Sequence, residues 1–310
     1  MLVDSLLPVF MIIITGFVLK RISLLGDEGW SGLERISYFV FLPLLLFRTI
    51  ANTDFTALAT TGLAAGFLCA TLLLLASMFA VRPLLQGALG VSAPAYSSIY
   101  QGVTRWNAFV TLAIAERMDV ASALSVVAIG IGVMIVPINL VNILAMAAWG
   151  ERGEKARPSF WRLVVTNPLI VGVVAGMIWN ASGLVMPGPI DTSIDILSRV
   201  SLPLGLLLVG AALRVRMPGR EIAAVVVASL LKLFVQPLFL TVAAWLFGVR
   251  GGELMIVALC GAGPSAMNGY VVARQLGGDA PLFAAIVTLQ TALSFLTIPI
   301  IMAAVTYASG

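Results

Sequence analysis

Long apolar blocks joined by short connections constrain this chain more than any other feature. They fall at roughly 2–22, 33–51, 56–81, 93–116, 120–148, 163–181, 191–213, 221–248, 253–275 and 280–307. A hydrocarbon core of about 30 Å takes about 20 apolar residues of helix. The pattern therefore predicts ten transmembrane helices. The blocks are too long, and too evenly apolar, for the alternating strands of an outer-membrane barrel. Composition agrees: only 10% of the 310 residues are charged, against about 25% in soluble domains. The first block, Leu6 to Leu19, lacks a basic leader and ends in Lys20-Arg21. It reads as a true span and not as a cleaved signal.

Basic residues set the orientation. Alternate connections carry Lys20 and Arg21, then Arg82, then Arg152, Lys155, Arg157 and Arg162, then Arg214, Arg216 and Arg220, then Arg274. The opposite connections carry Arg48, Arg117 and Arg250. The richer side is expected to be cytoplasmic, which leaves both termini outside a cell membrane. The net charge of +4 is explained by this bias, so no nucleic-acid partner is expected.

A shift of 160 positions aligns the chain with itself. Pro8 meets Pro168, Gly16 meets Gly176, Leu42-Pro43-Leu44 meets Leu202-Pro203-Leu204, and Asp119 meets Asp279. Asn107 meets Asn268 with a slip of one. Each half holds five spans, and an odd number makes the second half enter from the opposite side. The expected fold is thus an all-α polytopic membrane protein of two inverted five-helix repeats, an architecture of secondary transporters. The repeats are 1–149 and 163–310, joined by a cytoplasmic linker at 150–162.

The fourth and ninth spans are interrupted at matching places. One holds Gln101-Gly102-Val103-Thr104-Arg105-Trp106-Asn107, the other Gly261-Ala262-Gly263-Pro264-Ser265-Ala266-Met267-Asn268. Glycine and proline weaken helix, and irregular backbone at membrane depth survives only inside protein or beside a wet cavity. Paired interruptions in corresponding spans point to a transport site. A kink packed against neighbours is the plainer explanation of either one alone.

Arg105 lies about eleven residues from either end of its span. It either contacts a substrate carboxylate or partners backbone carbonyls, and we take the first. Lys232, equally deep in the eighth span and one turn before Gln236, either faces the site or satisfies carbonyls near a kink. Asp4, Asp54, Glu116, Asp119, Asp191, Glu221, Glu253 and Asp279 all fall near span ends. The embedded charge is therefore positive and the expected cargo an anion. Histidine is absent, and Cys69 and Cys260 sit apart in apolar blocks. No metal site, cofactor or acid–base enzyme chemistry is expected. Asp195 and Arg199 read as a structural ion pair, and Gly16 and Gly176 as points of close helix packing.

With these residues in view, the chain resembles the auxin efflux carrier family. The likeness lies in Leu7-Pro8-Val9-Phe10 with Gly16, in Tyr38-Phe39-Val40-Phe41-Leu42-Pro43-Leu44-Leu45-Leu46-Phe47, in the broken fourth span with Asn107, and in Gly263-Pro264. The resemblance implies broken crossover helices 4 and 9, with Asn107 and Pro264 at the crossing. It also implies a scaffold of spans 1, 2, 6 and 7 beside a mobile domain of the remaining spans. Thr104 stands where the repeat places Pro264, and the long central loop of plant exporters is missing. The missing loop looks like the compact bacterial branch, linked to malonate or malate, and the missing proline bears on where the fourth span breaks.

The expected function is a permease for small organic anions such as carboxylates, working by alternating access. The expected substrate-binding residues are Gln101, Arg105, Asn107, Lys232, Gly263, Pro264, Ser265 and Asn268. An anion channel, or a membrane-embedded sensor without transport, is the alternative. The expected partners are the anion and the lipid bilayer, with scaffold helices able to offer a homodimer face.

Overall fold

Prolines, glycines and capping residues divide the apolar blocks into helices. The computed structural model describes residues 2–151, 166–214 and 221–309. Of the expected linker, 152–162 lies outside the described residues, as do Arg216 and Arg220. Among the described residues every regular element is helical.

Helix α1 is Leu2–Arg21; α2, Asp27–Ile36, runs through a π turn at Ser37–Phe41 into α3, Leu42–Ala51. Next come α4, Thr60–Ala80, and the short α5, Arg82–Leu89. They are followed by α6, Ala93–Thr104, α7, Ala108–Ala115, and α8, Ala123–Trp149. After the linker stand α9, Pro168–Ser182, and α10, Gly188–Ala212. Helix α11, Ile222–Leu230, passes through a second π turn, Leu231–Val235, into α12, Gln236–Leu246. The order ends with α13, Gly251–Ala262, α14, Asn268–Leu276, and α15, Ala280–Ser309.

Among the described residues five stretches are long and apolar enough to cross a bilayer: Thr60–Ala80, Ala123–Trp149, Gly188–Ala212, Ile222–Leu246 and Ala280–Ala308. Large apolar side chains such as Ile14, Leu73, Ile196, Leu246 and Ile300 stay exposed on the outside of the bundle. In water that surface would be costly; against lipid it is the natural face. The architecture is that of a polytopic membrane protein.

Both π turns stand just before a proline, Pro43 in α3 and Pro237 in α12. Proline brings no N–H to the ladder, and a locally wider turn absorbs the missing bond. Pro203 lies inside α10.

The helices pack in two groups. In one, α1 lies along α10, while α3 lies along both α9 and α10. In the other, α4 lies along α12 and α8, α13 packs against α12, α15 and α8, and α6 packs against α8 and α15. Contacts of α7 with α10 and of α9 with α8 join the groups.

Close approach inside the first group depends on missing side chains. A Cβ at Gly16 would lie 2.0 Å from Leu207 O, and one at Gly176 would lie 2.7 Å from Phe47 O. Both clash with backbone, so no rotamer change relieves them. The two contacts are related by the sequence shift: Gly16 moved forward by 160 is Gly176, and Leu207 moved back by 160 is Phe47. At one end of this group Asp195 bridges Arg48 at 2.7 Å and Arg199 at 3.0 Å, so the pair expected within α10 also ties α10 to α3.

Candidate functional site

The two interruptions arise from different local chemistry. Helix α13 stops at Ala262 because Pro264 follows: the residue before a proline is pushed out of the α region, and Gly263 is extended at φ −65°, ψ 150°. The first interruption has no proline. Helix α6 ends at Thr104, Arg105 is extended, and Asn107 starts α7 as its N-cap. The Asn107 Oδ1 accepts from Phe109 N at 3.1 Å and Val110 N at 3.3 Å, replacing two lost helical bonds.

The broken strands of backbone satisfy one another. Asn107 N donates to Pro264 O at 2.8 Å. Ser265 Oγ donates to Gly102 O at 2.6 Å and lies 3.2 Å from Arg105 O. Gln290, from α15, holds both sides: its Nε2 donates to Gly102 O at 2.8 Å, and its Oε1 accepts from Ser265 N at 3.0 Å. Buried backbone groups freed by a break must find such partners.

Arg105 sits at this crossing and is 4% exposed. Its Nε donates to Gln101 Oε1 at 2.7 Å and its Nη1 to Asn139 Oδ1 at 3.0 Å. Its Nη2 is buried and has no hydrogen-bond partner among the described residues. Both acceptors are neutral amides, so no carboxylate among them offsets the guanidinium charge. Beside it, Thr104 Oγ1 and Asn142 exchange hydrogen bonds at 3.0 and 3.1 Å.

A cavity of about 860 Å³ runs between the two helix groups. Its mouth is lined by Lys20, Asp27, Glu34, Arg35, Arg214 and Arg274, its depth by Tyr38, Arg105, Trp106, Asn107 and Asn139, with Asn268 exposed on its wall. A side chamber of about 220 Å³ is bounded by Tyr38, Arg105, Asn139, Asn167, Ile170 and Asn268. At the mouth Lys20 Nζ meets Asp27 Oδ1 at 2.5 Å and holds that exposed carboxyl below the usual carboxylate range.

Of the residues expected from sequence, Arg105, Asn107 and Asn268 line this cavity. Gln101 lies behind Arg105, fully buried, with its Nε2 on the Met146 sulfur. Gly263, Pro264 and Ser265 are buried at the crossing and outside the cavity lining. Lys232 is fully buried in the second π turn, also away from the lining. Sequence reasoning missed Asn139 and Gln290 as partners, and Tyr38 and Asn167 as lining residues. The signal was there: Gln290 is a lone amide in its apolar block, and Asn139 shares its block only with Asn142. Among the described residues no cluster of acidic, cysteine or histidine side chains could hold a metal ion.

A basic, deep cavity between two helix groups is the geometry of a carrier, and likeness to known proteins agrees with it. A family model described as membrane transport protein matches residues 1–302. The chain belongs to this family, that of the auxin efflux carriers. It is similar to an uncharacterized transporter of Methanothermobacter thermautotrophicus, 25% identical over 308 residues and covering 96% of each chain. This family member is therefore a membrane transporter of the permease type and not an enzyme.

Proposed function

We propose that the chain is a secondary transporter of small organic anions, carboxylates above all, that works by alternating access around the crossing of its fourth and ninth spans. One observation carries the reading: the Arg105 guanidinium, buried at the cavity's depth, offers an unengaged Nη2 and is held by neutral amides alone. A buried cation without a carboxylate partner is costly, and an anionic ligand relieves that cost. Basic residues at the mouth favour entry of anions. Asn107 and Asn268 add neutral donors on the cavity wall. Gln101, Gly263, Pro264 and Ser265 serve the site from behind by fixing Arg105 and the crossing.

The scaffold in this reading is α1–α3 with α9 and α10, and the mobile group is the rest. The cavity opens at Lys20, Arg214 and Arg274, the side expected to be cytoplasmic, which supports an inward-facing reading of this arrangement. The paired contacts of Gly16 and Gly176 support inverted repeats at 1–149 and 163–310, with 150–162 as cytoplasmic linker. Both termini then lie outside the cell membrane, and the exposed scaffold face suits a homodimer.

Counterflow in proteoliposomes tests the function. Vesicles loaded with malonate, malate or an aromatic carboxylate are expected to accumulate the same labelled anion. The absence of exchange across that panel removes the anion reading. Label uptake that needs no anion inside the vesicles favours a channel.

A further inference from the structure

Lys232 is 0% exposed, yet it lines neither the main cavity nor its side chamber. It stands in the π turn Leu231–Val235, one turn before Gln236. Its Nζ donates to Gln236 Oε1 and lies 3.5 Å from Gly261 O, a carbonyl in the last turn of α13. The approach is made possible by contact of α12 with α13, where a Cβ on Gly261 would lie 2.4 Å from Pro237 Cα.

The break explains why that carbonyl needs a donor. In an unbroken helix Gly261 O would accept from Ser265 N. Here Ser265 N is taken by Gln290 Oε1 at 3.0 Å. Cys260 O meets a related loss, because four residues on stands Pro264, which has no N–H. The carbonyl end of α13 is thus buried, partly negative and short of donors. The first half differs. Gln101 O, which the 160-residue shift sets opposite Gly261 O, keeps its helical partner, Arg105 N, at 3.0 Å. Half-helix carbonyl ends at the midplane of transporters are places where a soluble sodium ion is held.

We propose that the Lys232 ammonium is a built-in monovalent cation, seated on the Gly261 carbonyl and the Gln236 amide where a soluble ion would otherwise bind, so that transport needs neither sodium nor potassium. The inference rests on the reading of the crossing as the transport site. It adds that the second break is electrostatically complete without an ion from solution.

The experiment begins with wild-type counterflow of carboxylate in sodium, potassium and choline media of equal ionic strength. Equal rates are expected; a rate that requires sodium or potassium overturns the proposal. In choline medium Lys232→Ala is expected to lose about tenfold in exchange rate, as for one buried acceptor left unpaired. Sodium or methylammonium should restore much of that rate, because the vacated space offers the same oxygens. Lys232→Met, which fills the space without charge, should lose as much and regain nothing. Full exchange by either variant in choline, or an alanine variant that no cation restores, overturns the proposal.

The melting temperature of purified Lys232→Ala gives a readout that needs no substrate. It should rise with sodium chloride over choline chloride, while the wild type should not respond. Failure of all carboxylate exchange by the wild type would sink the proposed function, and the melting measurement would still decide the role of Lys232.

Discussion

The two helix breaks occupy matching places in the chain and are built from opposite materials. The first, at Arg105 to Asn107, carries charge and amide groups, and all three of its residues line the cavity. The second, at Gly263 to Met267, carries glycine, proline and a serine that bonds back to Gly102 O. One break presents donors to the cavity, and the other shapes and braces it. Symmetry of position has been kept while the chemistry has been divided. The sequence shift alone would assign the two sides equal roles.

Substitutions can break or sharpen this division. The largest effect is expected at Arg105. Arg105→Ala should lower carboxylate counterflow by roughly 10- to 100-fold, the range for a lost hydrogen bond to a charged group. Arg105→Lys should fall between, since it keeps the charge and loses the planar fork. If Pro264→Ala costs as much as Arg105→Ala in the same assay, the division of labour is wrong.

Gln290→Leu comes next, because it removes the clamp shared by both breaks. Leaving a buried group without its partner costs about 1–3 kcal/mol, and the loss should appear as a lower melting temperature together with slower exchange. Ser265→Ala is expected to be milder, about 1 kcal/mol, since Gly102 O keeps its bond from Gln290. A drop in stability at Ser265 larger than at Gln290 would place the brace in the second break itself.

The smallest effect lies at the cavity mouth. Lys20 depresses the folded-state pKa of Asp27 below its reference of 3.8. A depressed carboxylate stabilises the fold above its unfolded pKa, and that contribution fades as pH falls through the folded value. Melting followed from about pH 7 to about pH 3 should show a slightly shallower acid loss in Asp27→Asn than in the wild type: the variant's deficit is largest at neutral pH, small because the pair is exposed, and closes toward pH 3.

Much of the fold was legible because lipid imposes length and proline imposes stops. Pro264 marked the end of α13, and Asn107 marked the start of α7. Burial was legible for Arg105 and Asn107 as well, while Asn268 is exposed. Direction was not legible. A helix apolar on every side gives no periodicity to say which face meets lipid, protein or cavity. Lys232 and Arg105 therefore looked alike in sequence, although one turns into the packed helices and the other lines the cavity. Asn139 and Gln290 escaped for a related reason, as their partners, Arg105 and Gly102, lie on other helices far along the chain.

The glycine contacts also have a consequence in time. Helix α1 finds its closest partner in α10, and α3 finds its own in α9, so the packed pairs of the first group are shared between the halves. During synthesis α1 and α3 are made before those partners exist. They must wait with Gly16 and the carbonyl of Phe47 unmatched. This first group can close only when α9 and α10 have been made, which makes its packing a late event in the chain's assembly.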